Sequence, residues 1–211
     1  MARAAGRGRV VAGEEPDRAA RILSAADDLF CERGYDGVSI RDVARQAGVN
    51  KALVFYYYES KIKLFERVLA GYYEAHAEVF KRAAEDASGD LRARIHGLID
   101  TYFDFIGSHH RYARLIQQEV ARQGEHIGLI RDNLAQLFLV SHVAFADTLP
   151  ERGPLAPKHF FLSLAGMTIN YFTYAPALGE VWGDDPLSEA AQAERRAHLR
   201  WVIDALLDAL E

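Results

Sequence analysis

Between residues 51 and 61 the chain reads KALVFYYYESK, with Phe55, Tyr56, Tyr57 and Tyr58 in an unbroken row between Lys51 and Lys61. Lysine ammonium groups pair with phosphates. A tyrosine offers a flat apolar face and a hydroxyl that can reach a phosphate or the edge of a base. Two aromatic rings on the outer face of a helix with no partner would be costly exposed apolar area, so the row points to binding at a polyanionic surface. Motifs for covalent or metal chemistry are missing: there is no Glu-x-x-His pair, no His-Glu-x-x-His, no phosphate-binding glycine loop and no Gly-x-Ser-x-Gly elbow. His109 and His110 are adjacent on a helix and face different ways, with no carboxylate at ligand spacing, so they read as solvated helix-end residues. The expectation is a binding protein with no metal and no cofactor, not an enzyme.

Short helices must hold the aromatic row in place. Pro16 and Asp17 open a first helix whose Ile22, Leu23, Ala26, Leu29 and Phe30 recur at helical spacing, and Gly34 closes it. Ser39 followed by Asp42 reads as a capping box, with Ile40, Val43, Ala44 and Ala47 as the inward stripe of a second helix that Gly48 stops. Asn50 is the N-cap expected for a third helix from Lys51, so two short helices meet across a turn containing glycine. This is a helix-turn-helix pattern. Helical spacing assigns Val54, Tyr58, Ile62 and Phe65 to an inward stripe and Ala52, Phe55, Tyr56 and Glu59 to the outer side. Ala52 is small enough to let the helix N-terminus approach base edges. Lys51 and Lys61 bracket the row, and the partial positive charge near Asn50 adds attraction for anions.

From Arg21 to Leu69, the stretch RILSAADDLFCERGYDGVSIRDVARQAGVNKALVFYYYESKIKLFERVL resembles the N-terminal DNA-binding domain of the TetR family of transcriptional regulators. The resemblance implies an all-α, dimeric protein of about nine helices. A three-helix head would read double-stranded operator DNA, and a larger helical body would bind a small-molecule effector and the other subunit. Carried across position by position, it places DNA contacts on Ser39, Arg41, Asn50, Lys51, Ala52, Tyr56, Tyr57 and Lys61. The family's usual glycine at 52 is Ala here, limiting backbone approach, and its usual tyrosine at 55 is Phe, removing a hydroxyl.

The expected organisation is a basic arm at 1–14, a helix-turn-helix domain at 15–62 and an effector-binding and dimerisation domain at 63–211. The charge distribution agrees: residues 1–65 carry eleven Lys and Arg against nine Asp and Glu, and the remainder fourteen against twenty-one. One cysteine, Cys31, rules out an intrachain disulfide, and the N-terminus lacks a signal-like apolar run, which together suit a cytoplasmic protein. The twenty uncharged residues from Phe160 to Gly179 are long enough to span a bilayer. Ser163, Thr168, Asn170, Thr173 and Pro176 make them a poor lipid face, so a buried helix with no membrane role is expected.

In the body, helices are expected at 60–86, 90–107, 109–123, 126–148, 157–178 and 188–210, with breaks at Gly107, Gly124 and Pro150. The last two would form the dimer interface through the uncharged run and through Leu199, Val202, Ile203, Leu206, Leu207 and Leu210; an intrasubunit pair explains the same pattern. Polar residues within apolar stretches mark a candidate effector pocket: Tyr102, Gln117, His142, Asn170 and Tyr174, among Phe103, Phe145 and their apolar neighbours. The expected function is a ligand-responsive repressor released from a pseudo-palindromic operator by an apolar or aromatic effector. The alternatives are a non-sensing architectural DNA-binding protein and a helical enzyme.

Overall fold

The computed structural model describes residues 15–85, 90–123, 126–145 and 149–208, and within them every regular element is a helix. The arm expected at 1–14, Gly124 and Leu210 lie outside the described residues. The chain divides into two compact units, Met1–Leu69 and Ala70–Glu211, and the division falls inside one helix.

The first unit is built from α1 (Glu15–Arg33), α2 (Ile40–Ala47), α3 (Lys51–Tyr58) and the start of α4 (Lys61–Glu85). The reciprocal capping box at α2 is present: the Ser39 hydroxyl accepts from the Asp42 N–H while the Asp42 carboxylate accepts from the Ser39 N–H. Gly48 ends α2 at φ 65°, a left-handed conformation that a side chain adopts only under strain. Arg21 of α1 reaches across to donate 2.6 Å to the Ala47 carbonyl, tying α1 to this helix end. Asn50 caps α3 by accepting from the Leu53 N–H at 2.8 Å. The core of the unit comprises Ile22, Ala26, Leu29, Phe30, Val43, Val54, Leu64 and Phe65, with the Phe30 ring edge-on to Phe65 at 5.0 Å.

The inward stripe expected across Val54, Tyr58, Ile62 and Phe65 is not one helical face. Glu59, at φ 57°, ends α3 and resets the register, so that Leu64 and Phe65 are fully buried while Ile62 is only half-buried. Tyr58 does point inward, and its hydroxyl donates to the Ala19 carbonyl of α1 at 2.9 Å. Cys31 is a buried thiol outside any disulfide, and its sulfur lies 3.5 Å from the Asp27 carboxylate one turn earlier.

The second unit contains the rest of α4 with α5 (Leu91–Ser108), α6 (His110–Ala121), α7 (Ile127–Phe145), α8 (Pro157–Trp182) and α9 (Glu189–Asp208). Its core runs through Phe80, Ile95, Ile99, Tyr102, Phe103, Leu164, Phe172, Leu199 and Ile203. An ion-pair ladder joins α5 to α9: Arg92 to Asp204 at 2.7 Å, Arg196 to Asp104 at 2.7 Å, and Arg200 to Asp100. Leu199, Ile203 and Leu207 are buried within this one chain, so this part of the apolar stripe of α9 packs inside the subunit; Leu206 is left partly exposed.

Two glycines expected near helix ends do something else. Gly107 sits inside α5, where a Cβ would lie 3.0 Å from the Phe172 ring of α8; the break comes at His109. Gly179 is interior to α8, and a Cβ there would lie 3.3 Å from Pro186, where the chain folds back; α8 runs four residues further than expected and ends at Gly183. His109 and His110 are half-buried and cap α5, with their Nδ1 atoms 2.8 Å from the Phe105 carbonyl and 2.9 Å from the Gly107 carbonyl. Among the described residues no helix is long and apolar enough to cross a membrane, and no cluster of His, Cys, Asp and Glu could hold a metal ion.

These packing constraints set opposite outcomes for two substitutions in one helix. Gly97, exposed with open space around its Cα, should gain roughly 0.5–1 kcal/mol of stability as Gly97→Ala. Gly107→Ala should lose about 1 kcal/mol, because overpacking against a buried Phe172 costs ~1–3 kcal/mol and outweighs the helix gain. Urea unfolding checks both signs. By the same measurement Tyr58→Phe, which removes the bond to Ala19, should cost about 1 kcal/mol.

Candidate functional site

The outer face of α3 carries Lys51, Ala52, Phe55 and Tyr56, all exposed, with Tyr56 at 71% of its free area. The helix behind them is held by buried Val54 and by Tyr58. The four expected outward residues, Ala52, Phe55, Tyr56 and Glu59, are all exposed, so this face is as the spacing requires. The Lys51 ammonium lies 5.2 Å from the Phe55 ring, and the Tyr56 and Tyr57 rings meet edge to face at 5.1 Å. Tyr57 is half-buried, intermediate between its two neighbours in role.

The start of α2 adds a second polar edge. Arg41 is exposed, and Arg45, one turn later on the same side, is 76% exposed and pairs with Asp42 at 2.6 Å. Arg45 is absent from the expected contacts, although its spacing of four from Arg41 was a usable signal. The Ser39 hydroxyl is committed to Asp42, and that hydrogen bond, followed by the one from the Ser39 N–H, holds the Asp42 carboxyl below its ordinary range. Lys61 is placed differently from Lys51: its ammonium sits 4.0 Å from the Tyr35 ring, and desolvation there lowers its pKa. The surface therefore offers exposed cations at Lys51 and Arg41 and one docked on Tyr35 at Lys61.

In the body, the six expected effector residues whose side chains are described fall into separate places. Tyr102 is fully buried on α5, stacked on His76 of α4 at 5.1 Å and 5.9 Å from Phe80. A chain of ring contacts continues from Phe80 to Phe161 of α8, on to Phe138 of α7 and to His142 beside it, so Tyr102 and His142 border one aromatic system. Phe103 packs instead on Phe172 at 4.9 Å. Gln117 of α6 donates to Asn170 of α8 at 3.2 Å near the surface, and Tyr174, one turn further, is 59% exposed. The Phe145 side chain lies outside the described residues.

His76 was missed by the sequence reading. Its Nε2 and the Tyr102 hydroxyl are buried without a hydrogen-bond partner among the described residues. Such a group left unpaired costs roughly 1–3 kcal/mol. Burial, with His109 contributing less, brings the His76 pKa down to about 3, so the imidazole is neutral at physiological pH. Beside this pair, Phe80, Leu98, Phe160, Phe161 and Leu164 line a narrow apolar slot of about 10 Å³, room for one water. Two open surface clefts, of about 450 Å³ beside His159 and Leu206 and about 340 Å³ beside Trp182 and Arg195, include none of those six residues. α8 and α9 also expose large apolar side chains: Leu162, Val181, Trp182 and Trp201 each show more than half their area.

The family model for the bacterial regulatory proteins of the tetR family matches residues 22–68, which span α1 to the first turns of α4. The "Probable HTH-type transcriptional regulator YttP" of Bacillus subtilis (strain 168) is 25% identical over 171 residues, covering 76% of this chain and 80% of that protein. The HTH-type transcriptional repressor KstR2 of Rhodococcus jostii (strain RHA1) is 30% identical over 105 residues, and the chain spans only half of its length. In fold, the solved structure of the ketosteroid transcriptional regulator KstR2 of Mycobacterium tuberculosis superposes with a TM-score of 0.64 at 21% identity, over 89% of this chain and 94% of that one. Residues 22–68 thus match the tetR-type helix-turn-helix, and the all-helical body that follows shares the fold of the solved KstR2 structure.

Proposed function

We propose that the protein is a cytoplasmic, ligand-responsive repressor that binds a pseudo-palindromic operator as a homodimer and does no catalysis. The observation that carries this reading is the outer face of α3: a capped helix N-terminus with exposed Lys51, Phe55 and Tyr56, on a unit whose other large apolar side chains are buried or half-buried. Such a helix, lying in a major groove, would bring Lys51, Ala52 and Tyr56 to base edges and phosphates, while Arg41 and Ser39 at the start of α2, together with Asn50, Tyr57 and Lys61, would meet the backbone. The name of KstR2 as a repressor supports the sign of regulation.

Dimerisation is proposed through α8 and α9, the helices expected at 157–178 and 188–210, because their exposed Leu162, Trp182 and Trp201 form apolar surface that a second copy would cover. Signalling between effector and operator would run along α4, which contributes Phe65 to the first core and Phe80 to the second. The architectural alternative gains support from one observation: the slot beside Tyr102 is only about 10 Å³, so a ligand must displace side chains to enter.

An operator fragment selected from genomic DNA by the purified protein, titrated by fluorescence anisotropy, tests the head. Lys51→Ala should weaken binding and flatten the salt dependence by about 0.9 in the logarithmic slope, the effect of one phosphate contact. Tyr56→Ala should weaken binding with no change in melting temperature; unchanged affinity in both variants would exclude this face. Light scattering tests the assembly: the wild type should be dimeric at micromolar concentration, and Leu162→Arg combined with Trp201→Arg should give monomers, since the pair would bury unpaired charge between the subunits. Release of the fragment by any compound in a metabolite screen separates the sensing regulator from the architectural one.

A further inference from the structure

We propose that the effector of this body is an uncharged, largely apolar molecule bearing a hydroxyl or carbonyl oxygen, which is received by His76 Nε2 and the Tyr102 hydroxyl behind the ring of Phe80. The proposal rests on the ligand-responsive reading above and names the chemistry of its ligand.

Native interiors pair most of their buried polar groups; His76 Nε2 and the Tyr102 hydroxyl are not the only such atoms without a partner among the described residues, but they stand out in that their rings stack on each other at the edge of an apolar slot. His76 comes from α4 and Tyr102 from α5, and their rings stack at 5.1 Å. Phe80 and Phe105 wall them in, with centroids 5.6 and 5.0 Å from the His76 ring. Tyr102 is 1% exposed and His76 6%, so surface solvent does not explain their state. The tyrosine hydroxyl both donates and accepts, and a neutral imidazole nitrogen does one or the other, so the pair suits a carbonyl that accepts or a hydroxyl that does both.

Phe80 is also a wall of the apolar slot lined by Leu98, Phe160, Phe161 and Leu164. One ring therefore separates a polar pair from a surface made only of hydrocarbon. Turning Phe80, with its neighbour Phe161 at 5.6 Å, would join the two into a single site with a polar end and an apolar length. The charge of the ligand follows from its surroundings. The group that acts electrostatically on His76 is His109, and both His76 and Tyr102 are held in their neutral forms by burial. Among the described residues, a carboxylate placed there would lose its hydration with no cation to replace it, and an ammonium would meet no anion.

The test uses the full chain and four ten-carbon probes of matched length: 1-decanol, 2-decanone, decanoate and decylamine, titrated by calorimetry in the absence of DNA. The alcohol and the ketone should bind at least tenfold more tightly than the two charged probes. Tyr102→Phe and His76→Phe should each weaken the neutral probes by roughly tenfold, the worth of one hydrogen bond to a buried partner. Circular dichroism checks the fold, and if His76→Phe does not fold, the near-isosteric Tyr102→Phe carries the comparison. Equal affinity across head groups, tighter binding of decanoate, no binding of either neutral probe, or unchanged affinity in Tyr102→Phe, as when a structural water alone serves these atoms, each overturns the proposal. Because the titration is made without DNA, a probe that binds as stated without releasing operator DNA would sink the sensing function and leave the site standing.

Discussion

The first unit depends on how a helix too short to persist alone is held. α3 has eight residues, fewer than the dozen or so an isolated helix needs to be even marginally stable in water. Its stability is therefore borrowed from Val54, buried in the core, from the Tyr58 hydroxyl on the Ala19 carbonyl, and from the Asn50 cap. Once those inward groups are fixed, the opposite face is fixed too, because the helical backbone sets the direction of every Cα–Cβ bond. The exposure of Lys51 and Tyr56 is a consequence of the anchorage of Val54 and Tyr58.

What could be read in the sequence was what local chemistry decides. The caps Ser39 and Asn50, the stop at Gly48 and the two faces of α3 depend on residues three or four apart, and all are present. Features set by long-range packing were not legible. Gly107 and Gly179 look like helix breakers until Phe172 and Pro186 are seen against them. Lys61 looks like a free cation until Tyr35 is found under its ammonium. The surroundings of the expected effector residues were the least legible, because a polar residue in an apolar stretch has the same sequence signature whether it is orphaned in a core like Tyr102, paired at a surface like Gln117, or left outside like Tyr174.

The second unit shows a division of labour between its two kinds of α9 contact. Leu199, Ile203 and Leu207 bury against the core, while the arginine–aspartate ladder with α5 lies at the edge of the same seam. Half-exposed ion pairs are individually worth little and weaken in salt, so burial supplies the attachment and the charges set the register.

The position of Cys31 makes the chain its own reporter. It is the only thiol, and it is buried in the helix-turn-helix unit, so a thiol reagent reaches it through opening of that unit. The rate of modification under native conditions therefore measures the local opening free energy of the first unit, separately from the body, which contains no cysteine. A bulk melt would average the two; one buried sulfur atom keeps them apart.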